Sequence, residues 1–200
     1  MTTRIDTIEK LEALFDAPVP ASLTKVTPRI TPLYRQWIMA SKFCVLSTVG
    51  AEGTDASPRG DDGPVVQIAN DRTLLMPDWR GNNRIDSLRN IVRDGRVSVM
   101  FMVPGCNNVV RVNGSATLST DPALTGRFEQ AGKHPKLVIE ITVAEAYFQC
   151  AKALIRSRLW ADGAAPEVPS AGQFVNEQQA DFDAEGYDTG YEAYARPRMW

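Results

Sequence analysis

The chain has 200 residues, 44% of them apolar, and a formal net charge of −2. This suits one globular domain with appendages and lacks the global positive charge that draws a protein to nucleic acid or an anionic membrane. Cys44, Cys106 and Cys150 stand far apart without CxxC spacing, which argues against a disulfide framework or a zinc site, and the single His134 reads as a solvated loop residue, leaving Ser-His-Asp and Cys-His catalysis little to build on.

The opening stretch, MTTRIDTIEKLEALF, carries acids early and no apolar core before a small-residue cleavage site, so no secretory signal is expected. No segment approaches bilayer length, and the expected location is the cytoplasm. Ile5, Ile8, Leu11 and Leu14, with Phe15, recur at helical spacing; Thr7 suits the N-cap, and Pro18 and Pro20 end the run. A second helix is expected over Leu33 to Ala40. The period then changes to two. Strands are expected at Phe43 to Val49, Thr54 to Ser57, Val65 to Ala69, Thr73 to Met76, Arg96 to Val103, Val109 to Leu118, and Lys136 to Val143 continuing towards Phe148. Asn70-Asp71-Arg72 reads as a hairpin turn. Helices interrupt the strands at Asn83 to Arg93 and after Asp121-Pro122, the latter closing at Gly132.

Strands joined mostly by turns favour a mainly β (β+α), largely antiparallel barrel over a doubly wound sheet. The expected organisation is a helical arm over 1–32, a barrel domain over 33–162 and a tail over 163–200. From Gly163 the composition turns to Pro, Gly, Glu, Gln and Asp, with Tyr187, Tyr191, Tyr194 and Trp200 near the end. Two readings of that tail stay open: a loosely ordered segment, or an arm docking its aromatics on the body or on a partner subunit.

Four segments could carry chemistry. In Ser57-Pro58-Arg59-Gly60-Asp61, the RGD triplet would matter for integrin binding only in an extracellular chain. Arg59 at a strand end, beside a glycine, suits a phosphate because its planar fork presents several donors; a surface salt bridge accounts for it equally. In Met76 to Arg84, a strand ends, a polar glycine-bearing loop follows and a helix begins. The first helical N–H groups and the dipole make an anion site there, with Asn82, Asn83, Arg80 and Arg84 around it; a plain cap would need only one Asn. Arg111 lies within an apolar strand, either pairing with a carboxylate or meeting an anion. Cys150 to Trp160 gathers Lys152, Arg156 and Arg158, which fit a solvated helix face or a cofactor edge. No GxGxxG follows a first strand and no GxxxxGK[ST] occurs.

In order and spacing, SPRGD, LLMPDWRGNNR before a helix, VMFMVPG, VVRVNGSA and FQCAKALIRSRLW resemble the FMN-binding split-barrel family related to pyridoxamine 5′-phosphate oxidase. The likeness runs from Tyr34 to Asp162, within a branch of FMN-dependent proteins of unsettled substrate. The resemblance implies a six-stranded antiparallel split β-barrel with short flanking helices, forming a homodimer with FMN at the interface. By motif, Arg59 would touch the FMN phosphate or flavin edge, and Pro77 and Asp78 would lie along the isoalloxazine ring. Asn82, Asn83 and Arg84 would grip the phosphate. Arg111 and the Pro104 to Asn108 turn would reach FMN from the partner, and Lys152 would approach from the last segment. Two departures stand out. An Arg-Lys pair is replaced by Asn82-Asn83-Arg84, and the Arg-x-His substrate signature is absent from Arg196-Pro197-Arg198-Met199-Trp200. The resemblance therefore implies an FMN-dependent oxidoreductase acting on a small molecule other than pyridoxamine phosphate, with no catalytic acid or base identified. A non-catalytic flavin carrier or sensor, or a split barrel binding F420 or haem, are the alternatives; the single histidine counts against haem.

Overall fold

Period-two alternation of apolar and polar residues shapes the centre of the fold. In the computed structural model, which describes residues 4–161, 163 and 166–200, the strands are β1 (Phe43–Gly50), β2 (Gly53–Gly60), β3 (Gln67–Asn70), β4 (Thr73–Pro77), β5 (Arg96–Met102), β6 (Val109–Ser119) and β7 (Val138–Gln149). Every pairing is antiparallel, in the order β2-β1-β5-β6-β7-β4-β3. The sheet thus has the seven strands read along the sequence, one more than the six that the family resemblance implies. The short β3 turns back into β4 at the expected hairpin, where the Asn70 side-chain oxygen accepts from the Arg72 N–H at 2.8 Å.

β2 stands at one end of this order and β4 beside the other, yet Arg59 of β2 is ion-paired at 2.6 Å to Asp78, the residue after β4. The sheet therefore curls until its ends meet, and the result is a split barrel. Inside it, Leu46 of β1, Val99 and Phe101 of β5, Val112 of β6 and Ile139 and Ile141 of β7 are fully buried, each contributing about 2 kcal/mol of apolar burial. β4 is apolar without alternation because both faces are covered: Leu74 and Met76 join the main core, while Leu75 joins a satellite cluster with Phe128, Val138 and Trp79. At the Asn113/Gly114 bulge in β6, a Cβ on Gly114 would lie 2.0 Å from the Thr142 carbonyl oxygen, so only glycine lets β6 and β7 approach there.

The helices depart from expectation at their ends. α1 (Ile8–Glu12) keeps the Thr7 cap but is shorter, and it buries none of its residues; without a packed face a longer helix has little to sustain it. α2 (Pro20–Thr24) begins where the prolines were read as a stop, because proline fits the first helical turn. α3 (Pro32–Ala40) buries Ile38 in the core. α4 (Asp86–Arg93) starts later than Asn83 and packs Leu88 and Ile91 against the barrel. β2 runs on through Ser57, so the SPRG stretch is strand. α5 (Pro122–Thr125) has the expected Asp121 cap and ends before Gly126 rather than near Gly132. α6 (Lys152–Ser157) follows β7.

Beyond it, α7 (Ala171–Gln178) and α8 (Ala184–Ala195) form a helical hairpin. The start of α7 is tied to α8 by Asp188, whose carboxylate accepts from the Ser170 hydroxyl and, at 2.8 Å, from the Gly172 N–H. A 3-10 turn at Arg196–Arg198 then leads Trp200 to Trp79. Asp162, where the barrel domain was expected to end, lies outside the described residues, as do Met1 to Thr3 and Ala164 and Ala165 of the arm and tail. Among the described residues no helix is long and apolar enough to cross a membrane.

Candidate functional site

The seam where the sheet closes gathers the polar side chains that the barrel interior excludes. Along β2, Asp55, Ser57 and Arg59 share one face, and the register sets Arg59 opposite buried Cys44 of β1. That face points inwards, against the start of α4 and the loop after β4. The Ser87 hydroxyl of α4 donates to Asp55, and Asn90 donates to the Thr48 hydroxyl at 3.1 Å.

Arg59 is the most constrained cation of the cluster. Its side chain is 19% exposed, its Nη1 donates to Asp78 Oδ1 at 2.6 Å, and its buried Nε has no hydrogen-bond partner among the described residues. A guanidinium with a buried donor left over is costly unless an acceptor arrives. Burial pushes the neighbouring Cys44 thiol up to about 12, with the Arg59 charge pulling the other way; the thiol is neutral and leaves the cation to Asp78.

Beside this pair runs a second tie across the seam. The Trp79 Nε1–H donates to Asp61 Oδ2 at 2.7 Å, and the same carboxylate accepts from Gln130 Nε2 and from the Asp62 N–H, each at 2.7 Å. Asp61, Trp79 and Gln130 carried no role in the sequence reading. The readable signal was Asp61 following Arg59 by two, just past the end of β2; Trp200 was among the tail aromatics that one of the two readings docks on the body, and Gln130 had no signal.

The 82–84 loop lies ahead of the helix, which starts at Asp86 rather than at Asn83, and its asparagines do not cap it. Asn82 Oδ1 accepts from the Arg84 N–H at 2.9 Å within the loop, Asn83 takes a left-handed φ of 62°, and the cap position falls to Ile85 with no side-chain bond. Asn and Asp tolerate that backbone because their short polar chains bond locally. Arg84 turns outwards and donates from Nε to Asp86 Oδ2 at 2.6 Å; this hydrogen bond, then the Asp86 charge, pushes its pKa further up.

The structure brings Arg59, Pro77 and Asp78 together and strings Asn82, Asn83 and Arg84 along the adjoining loop. It does not bring Arg111 or Lys152 to them within one chain. Arg111 lies between buried Val110 and Val112, so it faces outwards, 5.4 Å from the Tyr147 ring centroid. Lys152 is exposed at the first position of α6. That segment returns to the Pro104 to Asn108 turn through Trp160, whose Nε1–H donates to the Cys106 carbonyl at 2.8 Å. The His134 Nδ1–H donates to the Phe128 carbonyl at 2.6 Å, away from these groups. Among the described residues, no group of three or more His, Cys, Asp or Glu side chains gathers in a way that could hold a metal ion.

The sequence model of the family described as pyridoxamine 5′-phosphate oxidase matches residues 30–150. No curated protein matches the chain. Among solved structures, a tagged variant of HupZ from Group A Streptococcus superposes with a TM-score of 0.50 at 19% identity, covering 60% of this chain and 99% of that one. General Stress Protein 26 from Bacillus anthracis gives 0.43 at 20% identity, with 57% and 88% covered. A protein titled F420 Reductase gives 0.44 at 16% identity, with 60% and 98% covered.

Proposed function

Because the chain belongs to the pyridoxamine 5′-phosphate oxidase family, we propose that it is an FMN-binding flavoprotein and an FMN-dependent oxidoreductase whose substrate is not pyridoxamine phosphate. The observation that carries this reading is Arg59, a cation held on a strand with a buried donor that lacks a partner among the described residues. Its fork suits an oxyanion or a carbonyl edge, and both are offered by a flavin mononucleotide. Asp78 keeps the guanidinium plane fixed while Nε stays available. Asn82 and Asn83 add exposed amides along the loop, and Arg84 adds charge at its end. The flavin, when bound, supplies hydride or electron transfer; the residues around it bind, orient and exclude water.

A homodimer completes the proposal. The outward row Val45, Met100, Arg111 and Tyr147 crosses β1, β5, β6 and β7 in register and is half-buried already. A second copy seated there would carry Arg111, the Pro104 to Asn108 turn and Lys152 towards its neighbour's seam. Each site would then be built from two chains.

The test is the visible spectrum of the purified protein with the mass of the released ligand. A flavin spectrum and the FMN mass are expected. A ligand with the mass of F420 or haem, or a colourless protein that takes up no FMN, overturns the proposal. Reduction of the bound flavin by NAD(P)H or an organic substrate separates an oxidoreductase from a carrier: no reduction by either class leaves only the flavin carrier. Analytical ultracentrifugation checks the dimer.

A further inference from the structure

Two ties clamp the loop after β4 to the end of β2: Arg59 to Asp78, and Asp61 to Trp79. Onto the second comes a residue far away in sequence. The Trp200 ring meets Trp79 edge-to-face, with centroids 5.4 Å apart and planes at 79°. Lys133 holds this end of the chain by donating from Nζ to the Pro197 carbonyl at 3.3 Å and the Trp200 carbonyl at 3.1 Å. Arg198 stiffens the approach, its guanidinium lying 4.1 Å from the Tyr194 ring centroid and donating to the Tyr194 carbonyl at 2.7 Å.

Neither Trp200 nor Lys133 belongs to the barrel core. The contact can therefore open while the barrel stays folded, as local openings of weakly packed segments do. Trp79 itself cannot move freely without disturbing Asp61, to which its N–H is bonded, or Asp78, its chain neighbour.

Resting on the flavin reading above, we infer that Trp200 is a positioning residue for the seam site: by seating on Trp79 it steadies the 78–81 loop, and so slows release of a cofactor anchored on Arg59. Lys133 acts one step further out by holding Trp200 in place. An edge-to-face aromatic pair changes an opening equilibrium by about two- to tenfold, enough to tune ligand exchange and too little to decide whether the chain folds.

The experiment is hydrogen exchange on the full chain, with and without added FMN, in the parent protein and in Trp200→Ala, Trp200→Phe and Lys133→Met. FMN release from each is followed by stopped flow. Trp200→Ala is expected to speed amide exchange at residues 79–81 about two- to tenfold and to raise FMN release by a similar factor. Exchange in α4 and β5 should stay at parent rates. Trp200→Phe should restore most of the protection, and Lys133→Met should fall between. Unchanged exchange at 79–81 in Trp200→Ala overturns the inference, as does faster exchange throughout the barrel, which would mark a merely structural role. Faster exchange with unchanged FMN release overturns the link to the cofactor. A parent protein that takes up no FMN overturns the flavin reading instead, while the exchange comparison still decides whether Trp200 steadies the loop.

Discussion

Arg59 lies on the inner face of an edge strand with 19% of its side chain exposed and its charge on Asp78, whereas Arg84 lies in a loop with 81% exposed and its charge on Asp86. Both pairs measure 2.6 Å, so distance does not separate them; solvent does. Water screens Arg84 and competes for its donors, and an exposed pair of this kind adds little to stability. Around Arg59 the dielectric is lower, the rotamer is held, and among the described residues one donor has nothing to bond. A ligand oxygen therefore gains more at Arg59, even though the surrounding residues made the 82–84 loop look the more obvious anion site.

Replacing each arginine tests that ranking, and the largest effect is expected at the seam. Arg59→Ala should weaken FMN binding by about 30-fold or more, the scale for truncating one partner of a desolvated charge pair; fluorescence titration measures it, and parent-like affinity would move the anchor elsewhere. Asp78→Ala leaves Arg59 without its counter-charge. It should lower unfolding stability by about 2 kcal/mol in urea, below the range for fully buried pairs because both side chains keep some contact with water. Stability as good as the parent's would mean that the pair is solvated after all.

A smaller effect comes through pH. Cys44 faces Arg59, and burial raises its folded pKa to about 12 from the ordinary thiol value of 9.0. A raised thiol pKa means that the unfolded chain ionises first, so the contribution is intact below the unfolded pKa and is lost as pH climbs from about 9 towards 12. Stability should fall by about 1 kcal/mol between roughly pH 8 and pH 10, and Cys44→Ala should flatten that slope; a slope unchanged by the substitution would assign it to other groups. The smallest change is expected at Arg84. Arg84→Ala should reduce FMN retention by less than Arg59→Ala and leave the urea midpoint where it was. A loss at Arg84 exceeding that at Arg59 would reverse the comparison.

The strands were legible because a barrel buries one face of each, which imposes period two on β1, β5 and much of β6 and β7. β4 was readable as an apolar run bounded by turns. The start of α4 was not, because Asn82 and Asn83 have the composition of a cap but shape a turn instead, one accepting from the Arg84 N–H and the other taking the left-handed backbone. The Arg59–Asp78 and Asp61–Trp79 ties join segments from opposite ends of the sheet order, and no local pattern encodes such a meeting. The α7 start was legible in principle: Ser170 and Gln173 form a capping box, obscured by the Pro- and Gly-rich stretch before them. That Trp200 docks on the body was one of the two open readings of the tail; that its partner is Trp79 has no sequence signature.

β2 is also the outermost strand of the sheet, and its free side is the place where an unrelated chain could add itself as an eighth strand. Pro58, exposed at its centre, offers no N–H to such a visitor, and Arg59 and Asp55 are charges that an added strand would have to bury or displace. Pro58, Arg59 and Asp55 thus discourage self-association through this edge. Substitutions that make β2 more regular and more apolar would put the protein's resistance to aggregation at risk.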